Sequence, residues 1–356
     1  MAEDPVLHQY NPNNRAEVFD LLRTSLPPDV SARVIAQWTW KYESGPVNRP
    51  EGPTVELIRI GSKLVAMVAA FRLKMWMGGI ECFAESRGEW LVHPDHRGRK
   101  LWRRVGFLQP ADSPILFGWS LVPAHAIRAI GWTVGRLAPL LRVFDAGPLV
   151  EHLTRSRRLA SIGAAASAAA RVACAPFRRA RGDRSGTVVR LNSFDDRADG
   201  LWERARRATK AMVVRDHRYL NWRYCERPDA TYLLYGVERG SELAGFLVAR
   251  FGTHQGMRWG YLVDFMAAEN ASDVLSSLVE EALNELRRGG VAAVSCYATD
   301  PAVLRTLFRH GFFPAPRRHP VHFNRFIRSE RSDLRKFATL RQWYVTMGDG
   351  DFDMAY

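Results

Sequence analysis

The stretch Glu89-Trp90-Leu91-Val92-His93-Pro94-Asp95-His96-Arg97-Gly98-Arg99-Lys100-Leu101-Trp102-Arg103-Arg104 reads as a strand, a turn and the opening of a helix. Trp90, Leu91 and Val92 are bulky and strand-prone, and Pro94-Asp95 stops the strand and starts a turn. The run from Arg97 to Lys100 is basic, and backbone N–H groups at a helix start point at whatever lies before them. Such a terminus, with Arg and Lys beside it, favours an anion, typically a phosphate. The other reading of the same residues is an ordinary basic turn between a strand and a helix.

Outward from this stretch, the chain alternates clear elements. Val18, Leu21 and Leu22 share one face of a helix that Asn14 is placed to cap. Val55–Ile60 alternates as a half-buried strand, Gly61-Ser62-Lys63 signals a hairpin, and Leu64–Ala70 is the return strand. A second hairpin falls at Gly78-Gly79, and Glu81–Val92 leads into the basic turn. Pro110 and Pro114 end the following helix early, Ile115–Trp119 is the next strand, and Pro123 opens a helix with Ala124, Ile127 and Ile130 on one face. Trp38, Trp40 and Tyr42, ahead of a Gly/Pro-rich run, read either as a packed helix end or as the wall of an acceptor pocket.

Val92-His93-Pro94-Asp95-His96-Arg97-Gly98-Arg99 resembles the cofactor loop of the GNAT superfamily of N-acetyltransferases, whose pattern is Gln/Arg-x-x-Gly-x-Gly/Ala after hydrophobic-Val-His-Pro-Asp/Glu. The match covers about ten residues, and beyond them Lys100 and Trp102 stand where that pattern has small residues. The order of elements, a helix, an antiparallel meander and then strand–loop–helix, is also that of the fold. The resemblance implies a splayed strand whose gap takes the pantetheine arm of acetyl-CoA or another acyl-CoA. Arg97, Gly98, Arg99, Lys100, Leu101 and Trp102 would then form the pyrophosphate loop, with the backbone N–H of Leu91 or Val92 polarising the thioester carbonyl. A carboxylate on this strand acts as base in the family, which points to Glu89 first and Glu85 second; each could equally be a strand residue paired with an arginine. The tyrosine that serves as acid in many members falls at Ile127, and the usual Asn is missing near Leu121. Tyr297 is the substitute acid offered by the second half.

Residues 149–187 change in composition. An Ala-rich run from Ala160 to Arg171 is flanked by Arg155, Arg157 and Arg158 and by Arg178, Arg179, Arg181 and Arg184. It reads as a solvated helical linker, the alternative being a basic helix in peripheral contact with anionic lipid or nucleic acid. The second half begins with a helix carrying Leu201 and Trp202. Arg215–Tyr224 then interleaves arginines with aromatics, either as a core-packing helix or as a surface for an anionic or sugar-bearing acceptor. A hairpin over Thr231–Phe251, a strand over Trp259–Ala267, a helix that Ser272 would cap, a strand over Val291–Tyr297 and a helix from Pro301 repeat the first half's order. No basic loop follows the Trp259–Ala267 strand, so this half resembles a second GNAT-like module without the cofactor loop.

The expected architecture is therefore α/β (α+β): tandem GNAT-like modules, each a mixed, mostly antiparallel sheet flanked by helices. The boundaries read as 1–148 for the first module, 149–187 for the linker, 188–330 for the second module and 331–356 for a tail. At 356 residues, with 47% hydrophobic and 11% aromatic content, the chain can bury two cores. Its net charge of +14 suits a polyanionic co-substrate. Cys82, Cys174, Cys225 and Cys296 have neither metal-ligand nor disulfide spacing. The Asp349, Asp351 and Asp353 series lacks the closing Glu of a calcium loop, so no metal is expected. No stretch reads as a transmembrane helix or a secretion signal, and a cytoplasmic location is the simplest expectation. Three function classes stay open. The first is an acyl-CoA-dependent N-acyltransferase acting on a small-molecule, amino-sugar or peptide amine, with no specific nucleic acid partner. The second is an aminoacyl-tRNA-dependent transferase of the paired-GNAT type, which the charge suits and the CoA-type loop opposes. The third is a non-catalytic binding protein on the same scaffold, which Lys100, Trp102 and Ile127 keep in play.

Overall fold

The computed structural model describes residues 4–47, 52–101, 113–120, 122–129, 131–173, 186–207, 210–268, 270–315, 321–328 and 330–350. Its strands run β1 (Val6–Gln9), β2 (Thr54–Ile60), β3 (Lys63–Met77), β4 (Glu81–Val92), β5 (Ile115–Ser120), β6 (Thr133–Leu137) and β7 (Leu140–Val143) in the first half. They continue as β8 (Thr187–Leu191), β9 (Ala211–Val213), β10 (Leu233–Arg239), β11 (Glu242–His254), β12 (Met257–Ala267), β13 (Ala293–Cys296), β14 (Phe313–Pro314) and β15 (Val321–Ile327).

Two compact units result. Unit 1 comprises residues 1–137, 208–231 and 319–343; unit 2 comprises 138–207, 232–318 and 344–356. The sheet of unit 1 is ordered β1-β2-β3-β4-β5-β15-β6, with β9 added to β3, and that of unit 2 β14-β7-β13-β12-β11-β10-β8. Read from β1 and from β8, the two orders coincide. Each sheet is antiparallel except for one pair, β4 with β5 and β12 with β13. This is the mixed α/β tandem architecture the sequence implies. It is a repeat of topology, down to a bulge before each splayed strand end: β3/β4 shift register between Val68 and Ala70, and β11/β12 between Val248 and Ala249.

The units are not contiguous in sequence. β15, from the second half, lies between β5 and β6, and β7, from the first half, lies between β13 and β14. The boundary expected at 148 thus falls inside unit 2. The Arg215–Tyr224 run and residues 319–330, expected in the second module, belong to unit 1. Hydrogen-bonded strand order, which local patterning does not encode, makes the difference. Residues 149–173 are helices within unit 2: Gly147–Thr154 and Arg157–Ala173 pack together through small residues, an added Cβ on Gly163 lying 3.1 Å from Val150.

Burial follows the sequence pattern. β3 is covered on both faces from Leu64 to Leu73, which is why it reads as a continuous apolar run as far as Phe71. Val18, Leu21 and Leu22 are buried on helix Arg15–Ser25. Asn14 heads this helix without a side-chain cap; its Oδ1 instead accepts from Asn11 N–H. Helix Ser272–Arg288 buries the expected apolar face, with Ala271 rather than Ser272 at its cap. Trp38 is fully buried, and Trp40 stacks on Trp222 at 4.6 Å, each indole N–H donating to the other residue's carbonyl. Trp38, Tyr42, Tyr219, Trp222 and Tyr224 are therefore buried, as is Arg223 at 1% exposure, whereas Trp40 is half-buried and Tyr42 also lines a cavity with Lys41 and Phe71. Among the described residues no helix is long and apolar enough to cross a membrane.

Candidate active site

In unit 1, β4 and β5 pair in parallel only where Ala84–Ser86 meets Ile115–Phe117. Both strands continue beyond that point, and a cavity of about 250 Å³ lies between their ends. Arg87, Gly88 and Trp90 of β4 and Gly118, Trp119 and Ser120 of β5 form its walls. Ile127, Trp132 and Asn324 of β15 also border it. Glycine keeps the slot narrow at its base: a Cβ on Gly118 would lie 3.2 Å from Arg87 O. Ile127 is buried in a cluster with Leu116 and Trp132. The position at which the sequence resemblance would place an acid is thus an apolar wall.

The bulge puts Gly88 and Glu89 opposite Ala69, the arrangement that re-aims side chains beside functional sites. His93 N–H donates to Val65 O at 2.8 Å. Antiparallel alternation then gives Leu91 the hydrogen-bonded position against Met67 and turns the polar backbone of Trp90 and Val92 to the other edge, the one facing β5. Of the two backbone candidates, Val92 is the one whose N–H faces the β5 edge.

Glu89 sits at the bulge, 13% exposed at its side chain, and accepts from Lys41 Nζ at 3.2 and 3.3 Å. Glu85 is fully buried deeper in β4 and accepts from Ser113 Oγ at 3.0 Å. Around it, burial pushes the Glu56 carboxyl up to about 8, although the Arg87 charge opposes the shift. The same burial lowers the Arg87 guanidinium despite Glu56 and Glu85. Glu56 and Arg87 carry no sequence signal: each looks like one more charged residue on a strand until pairing places them in one buried cluster. Tyr297 belongs to unit 2, where it is 1% exposed and lines that unit's own cavity of about 200 Å³ with Trp259 and Ser295.

After β4, Pro94–His96 forms a single 3₁₀ turn in which His93 Nδ1 accepts from Asp95 N–H. Arg97, Gly98, Arg99 and Lys100 follow, all exposed. Gly98 has φ +84°, and Lys100, where the family pattern has glycine, keeps the left-handed backbone at φ +57°. The loop's path at Lys100 is thus glycine-like while the residue itself adds a cation. Arg97 is tethered through Nη2 to Ser25 O at 3.2 Å. Leu101 anchors the loop in the cluster of Ile58, Val65, Ala66 and Val68. Trp102 and the predicted helix that Pro110 would end lie outside the described residues. The loop's three exposed cations fit a polyphosphate, and the slot beside it fits a slender arm. Among the described residues no cluster of His, Cys, Asp and Glu could hold a metal ion.

The corresponding place in unit 2 is filled. β12 and β13 pair only at Trp259–Tyr261 with Ala293–Ser295. Past that point Tyr344–Asp349 runs alongside β12: Gly348 N–H donates to Val263 O at 2.8 Å and Tyr344 Oη to Phe265 O at 2.6 Å. Thr346 Oγ1 donates to Asp264 Oδ1 at 2.9 Å, and Thr346 also bridges to Ala298. The segment is buried throughout.

No family profile matches the sequence, and no curated protein does either. Solved structures do match in fold. N-myristoyltransferase of Saccharomyces cerevisiae, solved with bound myristoyl-CoA, aligns over 92% of this chain and 80% of its own, at 14% identity and a TM-score of 0.55. A probable N-acyltransferase of Enterococcus faecalis aligns over 91% and 72%, at 12% identity and 0.57. A GCN5-related N-acetyltransferase of Anabaena variabilis aligns over 91% and 73%, at 11% identity and 0.56. The alignments span both units, and the chain therefore has the tandem fold of the GNAT-type N-acyltransferases.

Proposed function

We propose that the chain is an acyl-CoA-dependent N-acyltransferase acting on the amine of a small molecule, amino sugar or peptide. The observation that carries this reading is the open β4–β5 slot of unit 1 leading to a loop of exposed cations with left-handed backbone at Gly98 and Lys100. An acyl-CoA would supply a thioester as the activated acyl group. Arg97, Arg99 and Lys100, with the backbone of Gly98, hold its pyrophosphate. Val92 N–H polarises the carbonyl. Glu89 takes the proton from the incoming amine, and Lys41 keeps its carboxylate oriented. Glu85, enclosed and bonded to Ser113, supports the strand from within. Ile127 has no proton to give, so the departing thiolate draws its proton from elsewhere than that position.

Calorimetry with acetyl-CoA and longer acyl-CoAs tests this, on the wild type and on Arg97→Ala/Arg99→Ala. Micromolar binding that the double variant loses, followed by transfer in an amine screen, is the expected result. Binding without transfer to any amine would favour the scaffold reading that Ile127 permits. Silence toward every acyl-CoA would overturn the proposal.

A further inference from the structure

The helices Gly147–Thr154 and Arg157–Ala173 of unit 2 form a hairpin that turns at Arg155-Ser156. Arg155 takes the left-handed backbone at φ +57°, and its N–H donates to Glu151 O at 2.8 Å. Small residues join the two helices. A Cβ on Gly147 would lie 3.1 Å from Ala160 O and from Ala164 Cβ, and Ser167 Oγ accepts from Ala146 N–H at 2.9 Å. Ala160, Gly163, Ala164 and Ser167 thus make the inner stripe of the second helix. Arg158, Ile162, Ala165 and Ala169 make the opposite stripe, and all four are exposed. After Arg158 this helix carries no charge until Arg171. Leu153, 79% exposed, and Ile162, 64% exposed, are the two most exposed large apolar side chains among the described residues, and Leu159 stands out at 47%. All three lie within about two helical turns of the hairpin's tip. Arg155, Arg157 and Arg158 surround the tip and are exposed as well.

We infer that this hairpin docks on the surface of an anionic lipid bilayer, with Leu153, Leu159 and Ile162 entering the headgroup boundary and Arg155, Arg157 and Arg158 meeting lipid phosphates. The inference is independent of the acyl-CoA reading of unit 1. Charge selects an anionic partner. Glu151 is the sole acid between Gly147 and Ala173. Its 3.6 Å contact with Arg157, whose side chain is 94% exposed, offsets little of the tip's positive charge. The aliphatic side chains select a lipid. A nucleic acid takes up cations and stacking aromatics, and the tip has no aromatic to stack. A bilayer surface takes up cations and aliphatic chains together. A second copy docked through the same face would set these arginines against one another. The Ala-rich run alone shows no such face, because Leu153 comes from the helix before it.

The test is co-sedimentation of the whole chain with vesicles of phosphatidylcholine alone and of phosphatidylcholine with about a third phosphatidylglycerol. The wild type is expected to partition onto the anionic vesicles and not onto the neutral ones. Leu153→Ser/Ile162→Ser should lower that partition by about tenfold or more. Arg157→Gln/Arg158→Gln should lower it by about 30-fold, roughly fivefold for each arginine. Arg287→Gln/Arg288→Gln removes the same charge from exposed positions at the end of another helix of unit 2 and should change it by less than about threefold. All the altered side chains of the hairpin are exposed, so thermal unfolding of each variant should match the wild type. Failure of the wild type to sediment with anionic vesicles would overturn the inference. So would equal losses in the two arginine pairs, which would mean attraction by net charge alone. Full binding by Leu153→Ser/Ile162→Ser would overturn it too. A single-stranded RNA that binds the wild type and loses affinity in Arg157→Gln/Arg158→Gln, with the vesicles silent, would make the partner a nucleic acid instead.

Discussion

Lys41 Nζ stands 3.2 Å from Glu89 Oε1 and 3.3 Å from Oε2, with the lysine side chain 2% and the carboxylate 13% exposed. The ammonium also lies 5.1 Å from the centre of the Tyr42 ring and 5.6 Å from that of Phe71. Breaking such a pair from one side removes an oppositely charged neighbour from a buried charge. Lys41→Met should therefore lower stability by about 3 kcal/mol in urea unfolding. Glu89→Gln should lower kcat/KM by about 100-fold if the carboxylate is the base. The double variant Lys41→Met/Glu89→Gln should recover most of the stability and none of the activity. If it recovered both, the pair would be structural and the base would lie elsewhere.

The bulge that sets Glu89 in place depends on a missing side chain. A Cβ on Gly88 would fall 2.1 Å from Tyr42 Oη and 3.0 Å from Lys41 Nζ. Gly88→Ala should cost about 2 kcal/mol through overpacking. Tyr42→Phe removes the hydroxyl that meets the new methyl group. Gly88→Ala/Tyr42→Phe should then be more stable than Gly88→Ala alone, a coupling that thermal unfolding of the four proteins measures.

Glu56 makes stability fall with rising pH. Burial raises its carboxyl from an ordinary value of 4.5 to about 8 in the folded chain. Between those values the folded state holds a proton that the unfolded state has released. Folding is therefore penalised progressively as pH rises, with a limiting slope of about 1.4 kcal/mol per pH unit from this group alone. The contribution is fully favourable below 4.5 and fully lost above about 8. Glu56→Gln removes the titration. Urea midpoints measured across this range should decline less in the variant than in the wild type, and the two proteins should differ most at the alkaline end. Parallel curves would show that Glu56 titrates normally.

The parts of this site that are local in sequence were legible there. Trp90-Leu91-Val92 announces a strand, Pro94-Asp95 its end, and Arg97 to Lys100 a basic loop, and the structure has all three. The φ of +57° at Lys100 was not legible, because lysine gives no sign that it adopts a conformation usual for glycine. Nor was the place of Asn324. Its neighbours Phe323 and Arg325 read as any half-buried strand, and only the insertion of β15 beside β5 brings it to the slot. The aromatics at 38–42 and 219–224 illustrate the reverse case. The first stretch allowed a pocket wall or a packed helix end, the second an acceptor surface or a core helix; the second packs into the core through Trp222, which stacks on the half-buried Trp40, while Tyr42 of the first both packs on Trp38 and lines a cavity. Long-range packing decided the last two, and it leaves no periodicity in the chain.

The filled slot of unit 2 makes a single donor site per chain the expected arrangement. Tyr344–Asp349 occupies the space beyond the β12–β13 pairing through Gly348 N–H to Val263 O, Tyr344 Oη to Phe265 O, and Thr346 Oγ1 to Asp264 Oδ1. Thr346 and Asp264 are both fully buried. Displacing the segment would expose that carboxylate's partners and several buried side chains at once, far more than an arm of the donor could offset. Titration calorimetry should therefore give one acyl-CoA per chain. Thr346→Val keeps the shape of the side chain, removes one donor to Asp264, and should destabilise the protein by about 2 kcal/mol without changing that ratio. A ratio of two in the wild type would mean that the segment yields its place to a second donor. A ratio that rises from one to two only in Thr346→Val would show that the single hydrogen bond to Asp264 holds the second slot shut.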